Sequence, residues 1–213
     1  MFRPRIIPCL LLKDKGLVKS VRFKNFKYIG DPMNAVRIFN AKEADELIFL
    51  DIFASKKKRT IPIELVKKIG EEAFMPFAVG GGISSIKQME AILKAGAEKI
   101  ILNTSAQQNP ALIKEASDEF GSSTIVVSFD VKKSLFNKGV IRFQNGGKKS
   151  AYKPVEFAQL AEKNGAGELM VNSIDHDGMM QGYDYDLIKR ISGSVTIPVV
   201  AAGGAGDLND IQR

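Results

Sequence analysis

Cysteine, histidine and tryptophan are scarce in this sequence of 213 residues, and their scarcity excludes several classes of protein. The chain has one cysteine, Cys9, one histidine, His176, and no tryptophan. A single thiol cannot form an internal disulfide framework and suits a reducing compartment. A single imidazole excludes a metal site built from a histidine cluster. We therefore predict no metal and no other cofactor.

Long apolar runs are also missing. No segment approaches the roughly 20 consecutive apolar residues that a membrane span requires. The first five residues lack the apolar centre of a signal peptide. These features predict a cytoplasmic protein without a membrane partner.

The charge balance is basic, with a net charge of +7 and a pI near 9.4. Such a balance fits nucleic acid, an acidic membrane surface or small anionic ligands, because Coulomb attraction does not distinguish the source of a phosphate. The basic residues form short runs at 56–59, 132–133 and 148–149, without the interleaved aromatic residues of a nucleic-acid groove. We interpret these runs as solvated surface and expect no nucleic-acid partner.

Apolar runs rich in β-branched residues alternate with segments of helical period, which is typical of a parallel sheet with crossover helices. Asp31-Pro32 and Asn109-Pro110 each place an N-cap acceptor before a proline at a helix start. Glycines within residues 131–151 predict a β-hairpin after the fifth strand. The predicted strands are residues 6–12, 46–52, 77–80, 99–103, 124–129, 168–172 and 197–201.

An internal repeat indicates how these units are arranged. Residues 75–82 recur in outline as residues 197–204, and an aspartate precedes each glycine run at almost the same separation. Two half-barrels of four βα units would produce this spacing, so a (β/α)8 barrel is favoured over an open doubly wound sheet. Such barrels run to about 250 residues. We therefore predict one domain over residues 1–213, a barrel that lacks its C-terminal strand and helix, and expect the natural chain to continue.

Candidate functional residues stand where the predicted strands end. Glycine runs at 80–82 and 203–204 would let the backbone approach a phosphate, although tight strand-to-helix turns would use the same residues. Asn103-Thr104 fits phosphate contact or helix capping. Asp130, at the end of the fifth strand, is a candidate general acid or base. His176 is interpreted as a loop residue without a chemical role.

Six motifs in order along the chain resemble the HisF family, the barrel subunits of imidazole glycerol phosphate synthase. They are Arg5-Ile6-Ile7-Pro8-Cys9-Leu10, Gly30-Asp31-Pro32, Phe49-Leu50-Asp51-Ile52, Val79-Gly80-Gly81-Gly82-Ile83, Asp175-His176-Asp177-Gly178 and Gly203-Gly204-Ala205-Gly206. The resemblance implies a barrel that forms a heterodimer with a HisH-type glutaminase and receives its ammonia through the barrel axis. In the family, that ammonia cleaves and cyclises a bis-phosphorylated ribulosyl intermediate.

The resemblance also implies roles for individual residues. Catalysis would involve Asp130 and the loop residue Lys19. The residues implied for phosphate binding are Gly82, Asn103, Thr104, Asp177, Gly178, Gly203 and Gly204, and those implied for the ammonia gate are Arg5, Glu46, Lys99 and Glu168.

Two positions depart from the family pattern. Leu11 stands where the family has the first of two catalytic aspartates, and Phe53 stands where it usually has threonine. Leucine cannot transfer a proton, and the loss of one proton-transfer group typically costs about a hundred- to ten-thousand-fold in rate. Ordinary cyclase activity is therefore not expected.

A complete gate beside an altered catalytic pair resembles the HisF-like branch associated with glycosyl amidation in surface-polysaccharide loci. The predicted function is thus a HisF-like amidotransferase subunit that supplies ammonia for sugar amidation, with a phosphorylated small molecule and an N-acetyl sugar amidotransferase as further partners. The alternative is an active cyclase of histidine biosynthesis, in which Asp51 or a loop residue replaces the missing aspartate.

Overall fold

The structure is a computed structural model that describes residues 5–134 and 139–212. It comprises two compact units, one formed by Met1–Lys19 and Lys27–Ile101 and the other by Ser20–Phe26 and Leu102–Arg213. Parallel strands followed by helices make up both units. The fold is that of a (β/α)8 barrel without its C-terminal part, which confirms the predicted fold class. The single domain stays a prediction.

The seven predicted strands correspond to strands of the structure, with ends that differ by a few residues. The strands are β1 (Cys9–Lys13), β2 (Gly16–Val21), β3 (Lys24–Gly30), β4 (Leu47–Asp51), β5 (Phe77–Gly80), β6 (Lys99–Leu102), β7 (Ile125–Lys132), β8 (Val140–Phe143), β9 (Lys148–Lys149), β10 (Glu168–Ser173) and β11 (Val199–Ala202). The helices are α1 (Pro32–Ala41), α2 (Ile63–Glu72), α3 (Ile86–Lys94), α4 (Thr104–Gln108), α5 (Ala111–Phe120), α6 (Pro154–Lys163), α7 (Tyr185–Ser192) and α8 (Leu208–Gln212).

In the first unit, β1, β4, β5 and β6 lie side by side and parallel. The register puts Leu11 beside Leu50, Leu50 beside Gly80, and Gly80 beside Ile101. Because side chains alternate between the two faces of a strand, this face also carries Glu46 and Lys99 near the strand starts. We call it the inner face of the first unit. Apolar helix residues pack on the unit's other side.

That packing is close and apolar. Phe49 and Phe77 meet edge to face, with their ring centroids 6.3 Å apart. Ile69 of α2 and Met89 and Ile92 of α3 are fully buried. Full burial of each such side chain contributes about 1.5–3 kcal/mol before entropy is counted, so this layer stabilises the strands that carry the functional residues.

In the second unit, β7, β10 and β11 lie parallel. Asn172 of β10 pairs in register with Asp130 on one side and with Ala202 on the other. Glu168 lies on the same face as Asn172, four residues earlier in β10, by strand alternation. This is the inner face of the second unit. Phe129, which points the other way, meets Phe157 of α6 edge to face at a centroid distance of 5.5 Å.

Antiparallel strands interrupt the βα alternation after β1 and after β7, and only the second interruption was predicted. β8 pairs antiparallel with β7, and β9 pairs with β8, which confirms the hairpin within residues 131–151. The hairpin after β1 was missed. There β2 returns antiparallel along β1 through a tight turn in which Asp14 has a φ of +58°, a conformation that Asp tolerates better than most residues.

One of the two predicted helix caps is confirmed. The Asp31 carboxylate accepts hydrogen bonds from the backbone N–H groups of Met33 and Asn34, at 2.8 and 3.2 Å. The cap predicted at Asn109 is wrong, because α5 begins at Ala111 after Pro110 and has no side-chain cap. Asn109 instead ends the preceding short helix α4.

Candidate functional site

Asp130 lies on the inner face of the second unit, held by an amide group at each carboxylate oxygen. Asn103 Nδ2 donates to Oδ2 over 3.0 Å, and Asn172 Nδ2 donates to Oδ1 over 3.3 Å. Asp130 is buried, with 8% of its surface exposed. The two donors come from different segments of the chain, so the carboxylate has a defined orientation.

The surroundings of Asp130 suit proton transfer. Burial raises the pKa of its carboxyl group from 3.8 to about 7, since the charged form loses contact with water. The hydrogen bonds from Asn103 and Asn172 oppose this rise in pKa, and the negative charge of Asp177 adds to it. A carboxyl group with a pKa near neutral pH can both accept and release a proton.

Asn103 is itself positioned by a neighbour in α4. Gln107 Nε2 donates to Asn103 Oδ1 over 2.9 Å, which turns the Nδ2 end of the Asn103 amide toward Asp130. Asn103 makes no side-chain cap to α4, so helix capping does not account for it. Thr104 is the first residue of α4 and is half-buried. Sequence reasoning missed Gln107, which has no signal beyond its place one turn after Asn103.

Asn172 was also missed, although a signal was available. It is the polar residue near the end of the sixth predicted strand, the same kind of position that singled out Asp130. The pairing of β7 with β10 places the two residues directly side by side. A strand-end criterion applied to every strand would have found both.

Among the residues predicted to bind phosphate in the second unit, Gly178 follows Asp177 in the chain and Gly203 lies beside it. The Asp177 carboxylate accepts from Ser20 Oγ over 2.8 Å and from the Phe23 N–H over 3.3 Å. Burial raises the pKa of the Asp177 carboxyl group. A side chain at Gly203 would meet Asn172 Oδ1 at 2.5 Å and the Asp177 Cα at 3.5 Å.

Gly178 and Gly204 each allow two stretches of backbone to approach closely. A Cβ at Gly178 would overlap the carbonyl oxygen of Ser20, and one at Gly204 would overlap that of Gly182. Both glycines have positive φ, +68° and +118°. Chain packing therefore already requires glycine here, and phosphate binding by these residues stays a prediction.

In the first unit, Gly82 and Lys19 occupy different settings. Gly82 has a φ of +68°, and a Cβ there would overlap the carbonyl oxygen of Arg59. Lys19 is an exposed residue of β2, not of an irregular loop. Phe53 is half-buried, with Lys13 Nζ 5.5 Å from its ring centre.

Leu11 and Asp51 lie on opposite faces of the first unit's sheet. Leu11 is on the inner face beside Leu50, whereas Asp51 pairs in register with Leu12, the next residue of β1. The buried Asp51 carboxylate forms an ion pair with Arg59 and accepts from the Phe53 N–H over 3.2 Å. Asp51 therefore does not occupy the place of a carboxylate at position 11.

Three of the four predicted gate residues form one ion-pair cluster in the first unit. The buried Glu46 carboxylate accepts from Arg5, and Lys99 Nζ lies 3.0 and 2.9 Å from its two oxygens. The fourth, Glu168, is the first residue of β10 in the second unit and is buried. The strand starts thus carry charges of both signs, as the resemblance implied.

His176 joins loop residues of the second unit. Its Nδ1 lies 2.8 Å from the carbonyl oxygen of Gly182, and its Nε2 lies 3.3 Å from Lys133 Nζ. Within residues 5–134 and 139–212, no group of three or more His, Cys, Asp or Glu side chains could hold a metal ion. In the same part of the chain, every helix is too short or too polar to cross a bilayer.

Comparison with known proteins identifies the family. The sequence model of the family described as "Histidine biosynthesis protein" matches residues 5–213. The chain is 46% identical over 211 residues to "Putative imidazole glycerol phosphate synthase subunit hisF2" of Pseudomonas aeruginosa, covering 99% of this chain and 84% of that protein. It is 42% identical over 210 residues to imidazole glycerol phosphate synthase subunit HisF of Alkaliphilus metalliredigens, covering 99% and 83%. The chain therefore belongs to the histidine biosynthesis protein family, as a relative of the HisF subunits.

Proposed function

We propose that this chain is the barrel subunit of a glutamine amidotransferase that supplies ammonia for the amidation of a sugar in surface-polysaccharide biosynthesis. Its direct partner would be a HisH-type glutaminase, and an N-acetyl sugar amidotransferase would receive the ammonia. The observation that carries the proposal is Leu11, an inert hydrocarbon on the inner face of the first unit. The family has an aspartate at this position.

In the part of the chain that the structure describes, the residues around Leu11 do not supply another carboxylate in place of the missing aspartate. Its neighbour in β4 is Leu50, which in turn packs beside Gly80 and Ile101. Asp51, the alternative carboxylate considered from the sequence, points to the opposite face and forms an ion pair with Arg59. The first aspartate of the family's catalytic pair would therefore be absent, and cyclisation by that pair would not be possible.

The charged cluster at the strand starts supports a retained role in ammonia transfer. Glu46 is buried against two cations, an arrangement that costs desolvation and contributes little net stability. A functional role explains why such a cluster is present. A ring of charged side chains at the entrance of a pore governs which small polar species can enter it.

The second candidate is an active cyclase of histidine biosynthesis, and Asp130 favours it. Its buried carboxyl group, with a pKa of about 7 and two amide donors, is suited to general acid and base chemistry. Several relatives are named as imidazole glycerol phosphate synthase subunits, which supports the same candidate.

One assay separates the two candidates. The protein is incubated with a high concentration of ammonium and the bis-phosphorylated ribulosyl intermediate, and imidazole glycerol phosphate is measured. We expect a rate about a hundred-fold or more below that of a HisF enzyme, and Leu11→Asp should recover at least about tenfold by restoring a proton-transfer group. Leu11→Asn is the matched control, because it has nearly the same shape as aspartate and cannot transfer the proton. Turnover of the unaltered chain at ordinary HisF rates would contradict the amidation proposal.

A further inference from the structure

The two ends of the Asn172 amide differ in their hydrogen bonding. Its Nδ2 donates to Asp130, but its Oδ1 is buried and has no hydrogen-bond partner among the residues that the structure describes. Buried polar atoms in native proteins usually have a hydrogen-bond partner from the protein, from water or from a ligand. Oδ1 and Nδ2 are bonded to the same amide carbon of Asn172, so the unsatisfied acceptor lies close to the hydrogen bond with Asp130.

The space beside this oxygen is kept open by a glycine. Gly203 follows β11 with a φ of +81°, and a Cβ at that position would stand 2.5 Å from Asn172 Oδ1. Any larger residue would therefore press against the acceptor. The Asp177 Cα lies 3.5 Å from the same point, so the open acceptor borders the predicted phosphate-binding residues.

The polar atoms around Asn172 Oδ1 determine which kind of ligand group can bind there. Asn172 Oδ1 can only accept a hydrogen bond, and the neighbouring Asp130 carboxylate is also an acceptor when ionised. A phosphate or carbonyl oxygen would be repelled here. An N–H or O–H donor would satisfy the orphaned oxygen and lie near the Asp130 carboxyl group.

We propose that Asn172 is a specificity-determining residue whose Oδ1 accepts a hydrogen bond from an N–H or O–H group on the non-phosphate part of the ligand. The inference goes beyond the proposed function, and it takes from the family resemblance that the ligand's phosphate binds near Asp177 and Gly203. Asn172 would then connect two tasks, because Nδ2 orients Asp130 while Oδ1 selects the ligand.

The test uses three probes and measures their dissociation constants by calorimetry on the full chain. Imidazole glycerol phosphate carries N–H, O–H and phosphate groups, inorganic phosphate lacks the N–H and carbon-bound O–H donors, and imidazole glycerol lacks the phosphate. In Asn172→Leu we expect the affinity for imidazole glycerol phosphate, relative to that for inorganic phosphate, to fall by about tenfold or more. Asn172→Thr keeps an uncharged acceptor oxygen at this position and should retain the ratio within about threefold. Met170→Leu, on the same strand face, should leave it unchanged.

The outcomes distinguish the inference from the proposed function. Equal affinity ratios in the unaltered chain and in a folded Asn172→Leu variant would overturn the inference and leave the function standing. If inorganic phosphate fails to bind but imidazole glycerol binds in an Asn172-dependent way, the phosphate site fails and the inference stands. If neither imidazole glycerol phosphate nor imidazole glycerol binds to the unaltered chain, the inference is overturned, whereas the proposed ammonia-supplying function does not require these ligands and is decided by the cyclisation assay. A Leu variant that does not fold leaves the decision to Asn172→Thr, where a tenfold fall in the ratio would overturn the inference.

Discussion

Asn103 donates a hydrogen bond from Nδ2 to the buried Oδ2 of Asp130 over 3.0 Å. This bond joins a residue at the end of β6 to one within β7, and it stabilises the charged form of a carboxyl group that burial pushes toward neutrality. The balance between these opposing effects on the pKa can be tested directly.

The stability of the protein should depend on pH through Asp130. The pKa of its carboxyl group is raised from 3.8 to about 7 by burial, so the folded state binds the proton more tightly than the unfolded state. The resulting stability is fully present below about pH 4, and it falls as pH rises toward 7, by on the order of 4 kcal/mol if the full shift is realised. Urea unfolding at pH 5 and 8 should show a smaller pH difference in Asp130→Asn. Equal differences in the two proteins would contradict the raised pKa.

Gln107 should lower the pKa of Asp130 through Asn103. Gln107→Leu removes the hydrogen bond that orients the Asn103 amide, so the Asn103 donor to Asp130 becomes weaker and the pKa of Asp130 rises. Carbon-13 NMR titration of the Asp130 carboxyl carbon measures that pKa. The control is Gln108→Leu, at the exposed neighbouring residue of α4. A pKa that moves equally in both variants would argue against the relay.

Breaking the Glu46 cluster should cost more stability than breaking a surface ion pair. Glu46→Gln leaves Lys99 and Arg5 facing a neutral amide in a partly buried setting, with an expected loss of roughly 1–3 kcal/mol. Asp118→Asn breaks the exposed pair with Lys114 and should cost about 0.5 kcal/mol or less. Chemical unfolding of both variants provides the comparison. Similar losses of stability in the two variants would contradict the expectation that the burial of Glu46 raises the cost of removing its charge.

Gly178 should be required for folding whether or not it binds phosphate. Gly178→Ala places a Cβ against the Ser20 carbonyl oxygen and imposes a positive φ on alanine, with an expected loss of more than about 2 kcal/mol. Gly146→Ala has a similar φ of +75°, but its nearest atom is a Phe23 ring carbon at 3.4 Å, so only about 1–2 kcal/mol is expected. Thermal unfolding compares them. If Gly178→Ala is as stable as the unaltered chain and loses only phosphate affinity, the glycine serves the ligand alone.

The architecture and the outline of the site could be predicted from the amino-acid sequence. Strands rich in β-branched residues, such as β7, alternate with helices of apolar period, so the local sequence pattern indicates which segments are buried strands. Asp130 could be found because it is a carboxylate at the end of such a strand. The motifs that indicated the HisF family are also short and local, and the comparisons confirm that family.

Tertiary structure alone decided which partners these residues have. Asn103 and Asn172 converge on Asp130 because parallel pairing brings separate strand ends side by side, and no local pattern encodes a contact between residues 42 positions apart. The tight turn at Asp14 and the hairpin after β1 depend in the same way on the strand against which they fold. The raised pKa of Asp130 likewise follows from burial by distant segments, since a carboxyl group is desolvated only by atoms that folding brings around it.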